Sequence, residues 1–230
     1  MHFFLDPGDL SLASLRDFLS MGAQVVYDSE SALVLRREGI YYGAGACDVC
    51  GEYRASLMSL CVDASAAERL VNDGLFDDVT PVRQYVYCGE KPCEYRGELD
   101  IRILAEDSVP FLAEHYDHPS ATLKHMTERV NRGLMLGAFY CGSCVGFAGL
   151  HEEGAMGMLT VLPAYRRQGV ATALMRELIR RLLEDGRIPY THVHTDNVQS
   201  MKLHEKLGFV PAEEPVIWLC KHDAYTDSRL

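Results

Sequence analysis

Apolar positions along the chain change their period several times, and each change marks an element. From Asp9 to Leu19 the residues Leu12, Leu15, Phe18 and Leu19 recur at helical spacing and predict an amphipathic helix. Residues 25–27, 32–35 and 40–42 are short β-branched and aromatic runs between turn residues, and read as strands. Residues 57–62 read as another strand, 64–72 as a helix ending near Gly74, and 82–88 as a strand. The polar stretch 89–97, with its Gly and Pro, interrupts the pattern and places a linker at 91–98.

The pattern resumes with a strand at 101–104 and a helix around 109–115. A second helix follows, with Ser120 as its cap, Leu123, Met126 and Val130 on one face, and Gly133 as its stop. Residues 134–140 and 145–151 form a hairpin, and 156–162 the next strand. A long helix spans about 168–184, with Val170, Leu174, Leu178 and Leu182 stacked at four-residue spacing and Gly186 ending it. A strand at 190–195, a helix at about 198–206 closed by Gly208 and Phe209, and a strand at 216–219 complete the chain. The second half therefore reads β-α-α-β-β-β-α-β-α-β. These elements predict an α/β (α+β) protein: a small α/β domain over 1–90, the linker, and a larger domain over 99–230.

A length of 230 residues suits one large domain or two small ones. The 48% hydrophobic content fits a soluble globular protein, and no apolar run reaches membrane-spanning length. The opening Met1-His2-Phe3-Phe4-Leu5 is too short and lacks the basic flank of a secretory signal, so a cytoplasmic location is expected. A formal charge of -11 excludes a broad basic surface for nucleic acid. Eight cysteines include two Cys-x-x-Cys pairs, 47/50 and 141/144. Reduced thiols with no metal are the expected reading. The alternative is a zinc site of Cys47, Cys50, Cys88 and Cys93 in an N-terminal zinc or redox module.

The chemistry concentrates in Val161-Leu162-Pro163-Ala164-Tyr165-Arg166-Arg167-Gln168-Gly169-Val170-Ala171-Thr172. A strand ends at a proline, turns through basic residues and opens a helix at a glycine. The free N–H groups and positive dipole end of such a helix bind a pyrophosphate, and Gly169 and Ala171 let the backbone approach it.

The order Arg166-x-x-Gly169-x-Ala171 resembles the acyl-CoA-binding motif of the GNAT superfamily of N-acetyltransferases. Asn197-x-x-Ser200-x-x-Leu203-His204-Glu205-Lys206-Leu207-Gly208-Phe209 resembles the family's following motif, Asn-x-x-Ala-x-x-Leu-Tyr-x-Lys-x-Gly-Phe. The resemblance covers about residues 99–230 and implies a mixed, mostly antiparallel sheet with a splayed central strand. It implies acetyl-CoA as acyl donor, with the pantetheine arm lying along the strand that contains Leu159, Thr160 and Val161. The diphosphate would meet Arg166, Arg167, Gln168, Gly169, Val170, Ala171 and Thr172, and Asn197 would touch the pantetheine arm or cap its own helix. A small amine would be the acceptor. The two-part layout is loosely similar to glycine N-acyltransferase-like proteins, but Ala155 stands where those carry a glutamate.

Acyl transfer to an amine needs a base, a stabilised carbonyl oxygen and a tolerable leaving thiolate. Glu152 and Glu153, in a turn before the donor strand, are the candidate bases. His204 replaces the family's tyrosine and is the candidate acid, with unassisted departure of the thiolate as the alternative. An ordinary imidazole is only roughly 10% protonated at pH 7.5. His192 and His194 share a strand face with Asp196 and are candidates to line the acceptor pocket. The expected function is acyl-CoA-dependent N-acyl transfer by direct attack in a ternary complex. The rival is a non-catalytic CoA-binding or sensor module.

Overall fold

A computed structural model describes residues 2–117 and 122–221. Its strands are β1 (Gln24–Asp28), β2 (Ala32–Arg37), β3 (Ile40–Gly45), β4 (Met58–Cys61), β5 (Asp78–Tyr87), β6 (Asp100–Ile103), β7 (Met135–Tyr140), β8 (Ser143–Leu150), β9 (Met156–Val161), β10 (Tyr190–His194), β11 (Phe209–Pro211) and β12 (Val216–Cys220). Its helices are α1 (Ala13–Ser20), α2 (Gly51–Ala55), α3 (Ala64–Asn72), α4 (Val109–His115), α5 (Leu123–Asn131), α6 (Val170–Glu184) and α7 (Val198–Leu207). The order expected over 99–230 is present, with β11 added between α7 and β12. The α2 turn was not foreseen, because Cys50-Gly51-Glu52 carries no apolar period. Ser120 lies outside the described residues; the side chain that caps α5 is Thr122, which accepts from the His125 N–H.

The chain divides into two compact units. The first takes in the described residues of Met1–Cys88, Glu152–Gly154 and Tyr190–Leu230; the second is Gly89–His151 with Ala155–Pro189. The first unit holds an eight-stranded sheet in the order β1-β2-β3-β4-β12-β5-β10, with β11 also on β5. All its ladders are antiparallel except β3 with β4. The sequence places a linker at 91–98, yet hydrogen-bonded ladders join strands from either side of it. Strand β5 pairs with β10 along one edge (His194 opposite Val82, Tyr190 opposite Val86) and with β12 and β11 along the other. On one face α1 covers Leu33, Leu35, Tyr42 and Val216 through Leu15 and Phe18. On the other, α3 buries Ala66, Ala67 and Leu70 against Val34, Cys61 and Leu219.

Cys47 and Cys61 belong to this second core, with sulfurs 3.4 Å apart, while Cys88 and Cys93 are exposed. Cys47 is therefore aimed at Cys61 within an apolar core. Among the described residues no group of three or more His, Cys, Asp or Glu is placed to hold a metal ion.

The second unit is a four-stranded antiparallel sheet, β6-β7-β8-β9. Helices α4 and α5 pack Leu112, Met126 and Val130 against Met135, Phe147 and Met158. Helix α6 lies along the strands, burying Val170, Leu174, Leu178 and Leu182, the four-residue stripe read from the sequence. Glu177, also buried on α6, is held by Arg180 and Arg181, and hydrogen bonds from Arg180 keep its carboxyl below the usual range. Strand β9 ends this sheet and β10 ends the other. Among the described residues no helix is long and apolar enough to cross a membrane.

Candidate acyl-donor site

Strand β9 is interrupted before it reaches the phosphate turn. Phe147 faces Thr160 and Gly149 faces Gly157, so Met158 and Leu159 together stand opposite Ala148. This is a β-bulge, which takes a residue out of the ladder and redirects the backbone. Met158 adopts φ 51°, a left-handed conformation costing roughly 1–2 kcal/mol for a non-glycine residue. Burying its side chain in the α4–α5 core contributes roughly 1.5–3 kcal/mol, enough to hold it there. Leu159 within the bulge, and Thr160 and Val161 after it, are half-buried. Nothing in the sequence marked Met158, since left-handed positions are usually sought at glycines.

After Leu162 a 3-10 turn, Pro163–Tyr165, leads into the exposed residues Arg166, Arg167, Gln168 and Gly169. Arg167 (φ 65°) and Gly169 (φ 86°) are both left-handed. Helix α6 then starts with Gly169 as its cap residue, no capping side chain and no acidic residue in its first turn. The first helical bond runs from the Ala173 N–H to the Gly169 carbonyl, 3.0 Å, so the N–H groups of Val170, Ala171 and Thr172 have no partner within the helix. A Cβ on Gly169 would meet nothing within 4 Å, so the cap position itself is uncrowded. The Arg166 guanidinium turns back to the Val161 carbonyl (3.0 Å), and Gln168 donates to the Ala164 carbonyl (2.8 Å). The turn is thus braced by its own side chains while its backbone donors face outward. An anion of diphosphate type fits this arrangement.

The remaining candidates belong to the first unit. Glu152 and Glu153 lie in the turn between β8 and β9. Arg37 donates to the Glu152 carbonyl (3.3 Å), and the Tyr190 hydroxyl donates to the Glu153 carbonyl (2.5 Å). Glu153 is fully buried, with a carboxylate oxygen 3.8 Å from Nδ1 of His192. Burial of Tyr42 itself, with a lesser contribution from the charge of Glu153, pushes the Tyr42 phenol well up. Asn197 caps α7 by accepting from the Ser200 N–H (3.0 Å). His194 and Asp196 are exposed, whereas His192 is turned toward Gln84.

His204 is 3% exposed, edge-on to Phe209. Its Nδ1–H donates to the Ser200 carbonyl (2.8 Å), and burial holds its pKa below the ordinary value. A buried, neutral imidazole whose N–H is committed to the helix backbone is poorly suited to protonating a thiolate. The structure favours a packing role, and the physical reason is desolvation.

The GNAT acetyltransferase family model matches residues 101–209. Residues 101–209, just under half of the chain, belong to the GNAT acetyltransferase family. The matched span begins at β6 and ends at Phe209, so it contains both motifs and the bulged strand. Solved structures similar to this protein extend over nearly the whole chain. A Drosophila protein is 17% identical, covers 91% of this chain and 88% of its own, and superposes with a TM-score of 0.61. A putative acetyltransferase from the GNAT family of Novosphingobium aromaticivorans is 18% identical, with coverages of 93% and 97% and a TM-score of 0.56. An acetyltransferase from the GNAT family of Colwellia psychrerythraea is 15% identical, with coverages of 96% and 99% and a TM-score of 0.51. At such identities the likeness concerns fold alone. No curated protein matches the chain.

Sequence reasoning missed Tyr190, whose hydroxyl reaches the Glu153 carbonyl, and Gln84, whose side-chain oxygen lies 3.2 Å from Nε2 of His192. Gln84 carried a usable signal: it is the lone polar residue in the alternating series Val82, Gln84, Val86 on one face of β5.

Proposed function

We propose that this protein is an acyl-CoA-dependent N-acyltransferase, transferring acetyl from acetyl-CoA to a primary amine. The observation that carries the reading is the start of α6: three backbone donors, a left-handed glycine and no capping side chain, directly after a bulged strand. Val170, Ala171 and Thr172 would hold the diphosphate through backbone N–H groups, with Arg166, Arg167 and Gln168 around it. Leu159, Thr160 and Val161 would present backbone to the pantetheine arm and the thioester carbonyl, and Asn197 would contact the arm while keeping its cap.

The acceptor nitrogen attacks the thioester carbon, the C–N bond forms, the C–S bond breaks, and the ammonium proton passes to a base. Glu152 or Glu153 is the base we propose, because the turn that carries both is tied down at their two carbonyls. The CoA thiolate leaves unassisted, since a thiol of pKa about 8.5 is a tolerable leaving group. Residues 99–230 are the acyltransferase segment in this reading, and 1–90 its accompanying α/β segment. A cytoplasmic setting agrees with it.

The test is a screen of primary amines that follows CoA release from acetyl-CoA, together with calorimetry of CoA binding. CoA binding and release with at least one amine are expected, with Glu152→Gln or Glu153→Gln slowing transfer by about 10²–10⁴-fold. Binding without release for any amine would favour a sensor module, a reading that the buried His204 supports. Absence of CoA binding would end both.

A further inference from the structure

The sheet of the first unit holds a second cluster of reactive side chains. Gly43 on β3 and Cys61 on β4 are partners in the parallel β3–β4 ladder, so their side-chain positions share a face. Gly43 leaves its position empty, and Cys47 fills it. A Cβ on Gly43 would lie 2.6 Å from the Cys47 sulfur and 2.7 Å from the Cys47 Cβ. The Cys47 thiol is thereby set beside that of Cys61, with the sulfurs 3.4 Å apart and both residues fully buried. The hydrogens follow from chemistry. A carbonyl only accepts, so the Cys61 S–H donates to the Asp63 carbonyl (3.1 Å). The Cys47 S–H is then the one that points at the Cys61 sulfur.

Cys47 opens a segment, residues 47–55, made of a 3-10 turn (Cys47–Val49) and α2. Side chains clasp this segment to its neighbours. Arg69 of α3 donates to both Asp48 oxygens at 2.8 Å, and Arg54 pairs with Asp73 at 2.6 Å. The Tyr53 hydroxyl donates to the Leu60 carbonyl of β4 (2.5 Å). A short segment held by partly exposed side-chain ties opens locally at less cost than a core strand.

We propose that Cys47 and Cys61 are an oxidisable pair, which closes into a disulfide when a peroxide reaches Cys47 through opening of residues 47–55. The pair stands apart from the acyl-transfer reading and does not depend on it. In the open segment the Cys47 sulfur attacks one peroxide oxygen. The S–O bond forms, the O–O bond breaks, and the departing hydroxide leaves as water with the thiol's proton. On reclosing, the Cys61 sulfur attacks the sulfenic sulfur. The S–S bond forms, the S–O bond breaks, and the second hydroxide takes the Cys61 proton. Two thiols are oxidised and one peroxide is reduced to two waters. The sulfurs need to approach by about 1.4 Å to reach the disulfide length of about 2.05 Å. The bond ties the 47–55 segment to β4 and closes a loop of 15 residues. A reducing compartment keeps the pair as thiols until an oxidant arrives.

The test uses the full chain with Cys88→Ser, Cys93→Ser and Cys141→Ser, which removes the exposed thiols. The protein is reduced, freed of reductant and treated with hydrogen peroxide, and its peptides are mapped by mass spectrometry without reduction. A Cys47–Cys61 crosslink that dithiothreitol reverses is expected. Arg69→Gln and Arg54→Gln, each of which releases one clasp, should speed crosslinking by about 2–10-fold. Cys47 left in no disulfide, or bonded to Cys50 or Cys144 in place of Cys61, would overturn the proposal. So would Cys47 oxidised to the sulfinic acid while Cys61 stays a free thiol. A crosslink that forms at the parent's rate in both clasp variants would overturn the route through residues 47–55.

Discussion

Replacing Gly169 by aspartate or by alanine separates charge from backbone geometry at the diphosphate position. Gly169 has φ 86° with open space where a Cβ would go, so neither side chain clashes. Alanine in this conformation costs roughly 1–2 kcal/mol. For a protein of this length each kcal/mol lowers Tm by about 2–4 °C. Aspartate enters the left-handed region more easily through local hydrogen bonds, so its folding cost is smaller. Its carboxylate, however, stands beside the N–H groups of Val170, Ala171 and Thr172, where an anionic ligand would sit. Two unit charges about 4 Å apart repel by about 1 kcal/mol in water and about 4 kcal/mol at an effective dielectric near 20. The turn is exposed, so the lower part of that range applies, roughly 1–3 kcal/mol. At about 1.4 kcal/mol per tenfold, Kd for CoA should rise about 5–150-fold.

The two variants should therefore rank oppositely in two assays. Alanine should be the less stable protein in thermal unfolding, and aspartate the weaker binder in calorimetry. Unchanged CoA affinity in Gly169→Asp would place the diphosphate elsewhere. Equal losses of affinity in both variants would mean that close backbone approach, and not charge, governs binding.

Gly146→Ala should be destabilised by about 1–3 kcal/mol in chemical unfolding, because its Cβ would lie 2.8 Å from the Thr160 carbonyl oxygen and 3.2 Å from Val170; an unaltered midpoint would show that β8 and β9 yield without cost. His204→Phe should keep the parent's rate and CoA affinity, and a drop in kcat of a hundredfold or more would restore the acid role. The same variant carries a pH signature. Burial lowers the His204 pKa in the fold, so below about pH 6.5 the unfolded chain takes up a proton that the folded state refuses. The neutral form's stabilising contribution is complete above that pH and is lost as pH falls toward the folded-state value. Tm should fall less steeply between pH 7 and 5 in His204→Phe than in the parent; parallel profiles would show that the imidazole titrates alike in both states.

Period and punctuation made the elements legible. Leu174, Leu178 and Leu182 mark the buried face of α6, and Gly133, Gly186 and Gly208 stop helices with positive φ. The donor turn was legible for the same reason, since Arg166 to Thr172 is contiguous and its chemistry is that of backbone donors. The surroundings of Glu153 were not. Glu153 was a candidate as one of two glutamates in a turn, but His192, 3.8 Å from it, lies 39 residues away in sequence, and Gln84, which meets His192, lies 69 away. Their meeting depends on the β5–β10 ladder, which no local pattern encodes. His204 shows a related limit: the motif identifies the position, whereas burial decides what an imidazole there can do.

Strand pairing also decides which part of the chain can stand alone. The family match and the linker pattern both suggest that residues 99–230 are separable. Yet β10 and β11 take their ladders from β5, and β12 from β4 and β5, all of them pairings with strands of the first 90 residues. Removing that segment strips the ladders from β10, β11 and β12. It also uncovers Tyr190, Val193, Phe209, Val216 and Leu219, each buried in the full chain. At roughly 1.5–3 kcal/mol for each side chain, the loss is on the order of 8–15 kcal/mol, comparable to the whole stability of an ordinary domain. Bare strand edges add a tendency to pair with other copies. A 99–230 fragment should therefore aggregate, or run as an expanded species with low near-ultraviolet circular dichroism. A monomeric 99–230 fragment with a cooperative melt and the full chain's CoA affinity would refute this. It would show that residues 99–230 close their own sheet without β4 and β5.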